Sequence, residues 1–236
     1  MTKTESLIQL LDNIDKKSKA IPRLGLQINA ITPKIQIFDL LIFSVLNRTV
    51  NLNKAFVNSM KDNNFIAAPP LVRINLDSLL RMYAARISEY SMNDFAQKVL
   101  NGEHIRRMKY YDSKEKLNDT FLVSKLSGIK NMDWVKKVYE SGNSYIHFCD
   151  KIVFSSQQIE NKINRTINFT IGEHDSFISI DEKIGAAIWM NKIIDSIIEQ
   201  TQIWVLEKCN SVGLNIEKLN DENFINERTK RTSTYR

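Results

Sequence analysis

An all-α protein, built as a mostly antiparallel helical bundle with one small β-hairpin before the last long helix, is the fold class that this sequence predicts. Three observations carry the prediction. Glycine (7) and proline (4) are scarce among the 236 residues, too few to punctuate a turn-rich sandwich or barrel. Long segments repeat apolar residues at helical spacing. Only Ile167-Asn-Phe-Thr-Ile171 and Phe177-Ile-Ser-Ile180, around Gly172-Glu-His-Asp-Ser176, alternate at period two as a hairpin does. Such a hairpin is marginal alone and is expected to pack on the helical body. Apolar content of 43% and charge content of 25% suit a globular chain with a sizeable core. A single helical domain is expected over residues 1–220, with a basic, flexible C-terminal tail over 221–236.

Residues 4–19 read as an amphipathic helix whose lysine-rich end complements the helix dipole. Pro22 and Gly25 then predict an irregular crossing over 20–31. Thr32-Pro33 supplies an N-cap followed by proline at the first helical position. The helix it opens continues to about Met60, with a bend near Asn51 and Asn53. Its apolar run from Ile35 to Leu46 contains Asp39 and spans roughly a dozen residues, too short to cross a bilayer. A third helix runs from Pro70 to Glu89, with Arg73, Asp77 and Arg81 spaced four apart as a charged ladder. Ser91 with Asp94 resembles a capping box for a helix that ends at Leu100, before Asn101-Gly102. A short helix is expected over 103–112, and Asn118 caps another to Leu126. Asp181 caps the last long helix, which Gly213 closes.

The most informative stretch is 133–149, read as one helix capped by Asp133. Trp134, Val135, Val138, Tyr139, Gly142, Tyr145, Ile146 and Cys149 share an apolar arc. Lys136, Glu140, Asn143 and His147 line another face. Gly142 sits inside the apolar arc, where glycine costs about 1 kcal/mol of helix stability; close approach by a neighbouring helix is the expected compensation. His147 has two readings, a core histidine tied to adjacent helices or an acid/base in a cleft. Arg73 with Asp77 is either an intrahelical pair or a side chain reaching across the bundle to the polar stripe.

Other clusters have plainer readings. Glu173-His174-Asp175 lie in a turn, where adjacent side chains diverge and do not meet at one metal ion. His104, Arg106, Arg107 and Lys109 beside Tyr110 and Tyr111 form either an exposed basic face or a nucleic-acid-binding patch with stacking tyrosines. Trp134, Trp189 and Trp204 suit a core or a dimer interface. Cys149 and Cys209 make neither a disulfide framework nor a zinc site, and Cys149 is expected in the core. Residues Asn226 to Arg236 hold Arg228, Lys230, Arg231 and Arg236 against Glu227 alone, half of the formal charge of +6. Glycine-rich phosphate loops, G-x-S-x-G and H-E-x-x-H are absent, which disfavours dinucleotide enzymes, kinases and zinc hydrolases. No metal or other cofactor is expected. The N-terminus does not read as a signal peptide, so a cytoplasmic protein away from membranes is expected.

Leu71-Val-Arg73-Ile-Asn-Leu-Asp77 on one helix, Val138-Tyr-Glu-Ser-Gly-Asn-Ser-Tyr-Ile-His147 on a later one, and a long final helix after a two-stranded excursion resemble a bacterial family with a HEPN-like helical core. The resemblance covers roughly residues 35–208. The HEPN superfamily includes metal-independent ribonucleases of toxin–antitoxin and phage-defence systems. Their motif is an arginine, usually a polar residue, three to five more residues and a histidine, and two copies meet at a dimer interface. Asn143 and His147 match its shortest form, whereas the arginine position falls on Gly142, or on Ser141 or Glu140 at longer spacing. No arginine stands at any of them.

The resemblance implies a homodimer that acts on or binds RNA or a nucleotide. As a metal-independent endoribonuclease it would use His147 as acid/base, Asn143 to orient the scissile phosphate and Arg73 as the stabilising cation, with Asp77, Arg81 and Tyr139 in support. A well-placed donor of that kind contributes about 2.7–4 kcal/mol to the transition state, so the missing motif arginine weighs against catalysis. The alternative is a non-catalytic, degenerate HEPN-like module that binds a protein or nucleic-acid partner, with Arg106, Arg107 and Lys109 as nucleic-acid contacts. A purely structural subunit is a third reading.

Overall fold

The computed structural model describes residues 2–147, 150–161, 166–174 and 177–233. Nine α-helices occur among them: α1 (Lys3–Ile31), α2 (Ile37–Lys61), α3 (Ala68–Ile87), α4 (Met92–Leu100), α5 (Asp119–Ser127), α6 (Trp134–Ile146), α7 (Asp150–Ser155), α8 (Ile180–Ser211) and α9 (Glu222–Ser233). Two short strands, β1 (Gln157–Asn161) and β2 (Thr166–Phe169), pair antiparallel before α8. The fold is a helical bundle with a small hairpin before its last long helix, as the sequence predicts. No helix among the described residues is long and apolar enough to cross a membrane. Two compact units divide the chain: Met1–Lys16, Asn51–Asp77 and Val123–Ile194 form the first, and Lys17–Val50, Ser78–Leu122 and Asp195–Arg236 the second.

In the first unit Phe56, Leu76, Val135, Val138, Met190 and Ile194 are buried from α2, α3, α6 and α8. Asn53 is buried within α2, which is helical on either side of it; its Oδ1 accepts from Asn75 Nδ2 at 3.4 Å. The expected N-cap Asp133 makes no side-chain bond to the start of α6. Ser179, not Asp181, opens α8: its Oγ accepts from Glu182 N at 3.3 Å, while the Glu182 carboxylate accepts from Ser179 N at 3.1 Å. This reciprocal box leaves Asp181 to pair with Lys3 at 2.6 Å.

The hairpin differs from expectation. The stretch Ile167–Ile171 does contain a strand, but β2 pairs backwards with the amide-rich β1, not with 177–180; Ile159 faces Ile167 and Gln157 faces Phe169. Nor is it sheltered by the helices, since Ile167 is 51% and Phe169 71% exposed. Cys149, Asp175 and Arg236 lie outside the described residues.

The second unit is built around a buried ionic cluster. The Asp39 carboxylate accepts from Lys208 Nζ at 2.5 Å, from Trp204 Nε1 at 2.8 Å and from Gln36 N at 2.8 Å. Lys208 also donates to the Ile28 carbonyl at 3.2 Å, and both charged side chains are 1% exposed. The bond to Gln36 explains why α2 starts at Ile37 instead of after Thr32-Pro33. Asp39 occupies the third helical position and closes back on the residue before the helix. Phe38 packs edge-on against Trp204 at 4.9 Å. Burial raises the neighbouring Cys209 thiol above its ordinary pKa, with Lys208 partly opposing the shift.

The crossing expected at Pro22 is instead a turn of α1, which stays helical from Lys3 to Ile31. Ile14, Ile21, Leu24, Ile28 and Ile31 are buried at spacings of three, four and seven. Their burial, about 1.5–3 kcal/mol per side chain, offsets the roughly 3 kcal/mol that an interior proline costs. The tail also differs: α9 is helical through Ser233, with Ile225 buried and Arg228 Nη1 donating to the Ile31 carbonyl at 3.4 Å. At the end of α8, Gly213 has φ +66° and Leu214 N returns to the Cys209 carbonyl at 3.0 Å, the glycine cap the sequence indicates.

Asp39→Ala should destabilise the protein by about 3–5 kcal/mol in urea unfolding, because it strands the Lys208 ammonium in the core. The apolar pair Asp39→Leu with Lys208→Met should recover most of that loss, since it leaves no buried charge.

Candidate functional site

Two places hold the residues singled out in the sequence, one in each unit. In the first unit, α6 begins at Trp134, and Trp134, Val135, Val138, Gly142 and Tyr145 are its buried side. α3 brings Arg73 against it. A Cβ added at Gly142 would lie 2.6 Å from Arg73 Cβ, so the glycine marks a close helix approach, as its place in the apolar arc implies. Arg73 is only 8% exposed. Its Nε donates to Asn143 Oδ1 at 3.2 Å, and its guanidinium carbon stands 4.3 Å from the centre of the Tyr139 ring. Arg73, Asn143 and Tyr139 are therefore brought together, as a clamp between two helices. A guanidinium stacked on an aromatic face and hydrogen-bonded in plane is held in one orientation.

His147 stands at the exposed end of the stripe. α6 ends at Ile146, and His147 is its C-terminal cap with φ −98° and ψ 131°. Its N–H closes the last turn on the Asn143 carbonyl at 2.9 Å, while the residue itself is exposed. Lys136 and Glu140, on the same stripe, form an exposed i,i+4 pair at 4.0 Å. Asp77 is half-buried one turn along α3 from Arg73. Arg81 belongs to the second unit, where its Nη2 donates to Asp119 Oδ1 at 2.5 Å. In the hairpin region His174 Nδ1 donates to the Asp62 carbonyl at 2.9 Å. Among the described residues no group of three or more His, Cys, Asp or Glu is placed to hold a metal ion.

The second place is the segment after α4. Ser91 Oγ accepts from Asp94 N at 3.1 Å to open that helix, and Gly102, at φ +86°, closes it. Beyond Gly102 the chain makes one 3₁₀ turn, Ile105–Arg107, and then runs extended, rather than forming the helix expected over 103–112. Tyr110 bridges to Ser88, and Lys109 bridges to Lys116, both antiparallel. Tyr110 N donates to the Glu115 carbonyl and Leu117 N to the Met108 carbonyl, each at 2.9 Å. The two lysines thus face each other between those bonds, in the position where cross-strand side chains come closest. Like charges opposed this way repel by roughly 1 kcal/mol in water. Met108 and Leu117 are buried beneath them, which anchors the segment.

Arg106, Arg107, Lys109, Lys114 and Lys116 are all exposed, with Asp112 and Glu115 as acids among them. Among the described residues none of the five cations is ion-paired. Tyr111 is 63% exposed, its ring 4.5 Å from that of Tyr110, which in turn packs on Phe121 at 5.4 Å. Lys114 and Lys116 were not singled out from the sequence. They join the cluster only through a pairing between strands that no local periodicity announces.

No family model matches this chain, and neither a curated protein nor a solved structure is similar to it.

Gly142→Ala should destabilise the protein by about 1–3 kcal/mol in thermal unfolding, as overpacking against the Arg73 stem does in cores. That sign opposes the gain of about 1 kcal/mol that alanine brings to an open helix site.

Proposed function

We propose that this chain is a non-catalytic helical binding module that takes single-stranded RNA along its exposed basic segment, Arg106 to Lys116. The supporting observation is the group of five cations, without ionic partners among the described residues, beside the exposed Tyr111. Cations neutralise backbone phosphates and release counter-ions, and an exposed aromatic side chain stacks an unpaired base regardless of its identity. Two lysines held opposite one another gain from a shared phosphate what they lose by mutual repulsion. The non-catalytic form is favoured because Arg73 is already engaged by Asn143 and Tyr139, and no arginine occupies the HEPN motif position beside Asn143.

The second reading is a metal-independent ribonuclease of the defence or toxin type, resembling HEPN enzymes and working as a cytoplasmic homodimer. The exposure of His147 favours it, since an accessible imidazole can move a proton at a ribose hydroxyl.

Fluorescence anisotropy with a labelled single-stranded RNA tests the first reading. Binding should weaken steeply with salt, and the combined Arg106→Ala, Arg107→Ala, Lys109→Ala variant should lower the slope of log affinity against log salt by about 2. Binding unaltered in that variant overturns the assignment. RNA incubated in chelator should remain intact with wild type; cleavage lost in His147→Ala would instead establish the nuclease.

A further inference from the structure

We propose that two adjoining cavities beside His104 form a site for a phosphorylated nucleotide, namely the terminal nucleotide of the strand lying on the basic segment. This deepens the RNA-binding reading and rests on it. The larger cavity, about 480 Å³, is lined by Arg81, Val99, Glu103, His104, Ile105 and Arg106. The smaller, about 320 Å³, has Tyr90, the Asn101-Gly102 turn and Arg107 among its walls, and shares Glu103 and His104 with the first. Each lies in the size range of small-ligand pockets.

The local backbone explains the arrangement. In a 3₁₀ turn successive side chains diverge by about 120°, so neighbouring Arg106 and Arg107 enter different cavities while His104, just before the turn, borders both. Among the described residues, the side chains of His104, Arg106 and Arg107 have no hydrogen-bonding or ionic partner. Two acids lie near the smaller cavity: the Glu103 carboxylate binds Lys98 Nζ at 2.9 Å, and Glu89 is engaged by the Tyr90 hydroxyl. Lys98 in turn lies 4.7 Å over the Tyr90 ring, its charge balanced by that of Glu103. A hydrogen bond from the Tyr90 hydroxyl to Glu89 keeps that phenol protonated beyond its ordinary range. Val99 and Ile105 offer apolar sides to a base in the larger cavity. Arg107 and His104 offer donors to its phosphate in the smaller one, the charge-assisted geometry that phosphates select.

The test compares RNAs of one sequence ending in a 5′-phosphate, a 3′-phosphate or hydroxyls only, and adenosine monophosphate alone, each titrated against the full chain. One phosphorylated end should bind about tenfold more tightly than the hydroxyl-ended strand, a difference typical of one added charge-assisted contact. Adenosine monophosphate should compete only for that increment. Val99→Phe, which fills the larger cavity without touching a charge, should bring the ratio to about one while circular dichroism shows the fold retained; Arg107→Gln should lower it as well. Equal affinity for all three ends, with salt-dependent binding intact, overturns the terminal site and leaves the RNA-binding reading standing. Adenosine monophosphate bound in the absence of any strand affinity supports the nucleotide site and removes the strand from the reading.

Discussion

A single carboxylate deep in the second unit carries much of its organisation. Asp39 collects an ammonium, an indole N–H and a backbone N–H, and through Lys208 it reaches the carbonyl of Ile28 on α1. Taking a charged pair out of water costs several kcal/mol per ion unless other groups replace the lost hydrogen bonds, and here Ile28 of α1, Gln36 just before α2 and Trp204 of α8 do so. The cluster therefore specifies which helix lies beside which and in what register, something that greasy side chains alone do poorly. The basic segment inherits that order indirectly. Its anchor residues Met108 and Leu117 join the same unit's core.

The first unit poses the complementary case, a cation used as a fastener. Arg73 is buried along its stem by the absence of a side chain at Gly142, stacked on Tyr139 and tied to Asn143. Three of the residues most suggestive of chemistry in the sequence thus have a sufficient explanation in packing, and the histidine caps the end of the same helix. A motif of common residue types on adjacent helices is satisfied equally well by a clamp and by an active site. Only the placement of each side chain tells the two apart.

Much of the fold was legible because its signals are local. The Ser91–Asp94 box, the Asn118 cap, the Gly213 terminator and the crowding at Gly142 each depend on residues within one or two turns or on one helix face. What escaped is non-local. Asp39 stood out as a charge inside an apolar run, yet its partner lies 169 residues away. β1 was hidden because an open, amide-rich strand has no buried face to impose alternation on its sequence. The Lys109–Lys116 bridge was hidden because only Met108 and Leu117 mark its buried side, too few to impose an alternation on the sequence, and with it went two of the five cations of the candidate interface. At Pro22 a strong local rule was overridden by the periodic burial on either side of it.

The facing lysines make the basic segment respond to its medium in two opposed ways. Dissolved ions shield Lys109 from Lys116 and so tighten the ribbon that holds them. The same ions compete with any polyanion for the ribbon's surface and so loosen its hold on a ligand. The pairing of the ribbon and the attachment of any polyanion to it consequently run in contrary directions as ionic strength rises.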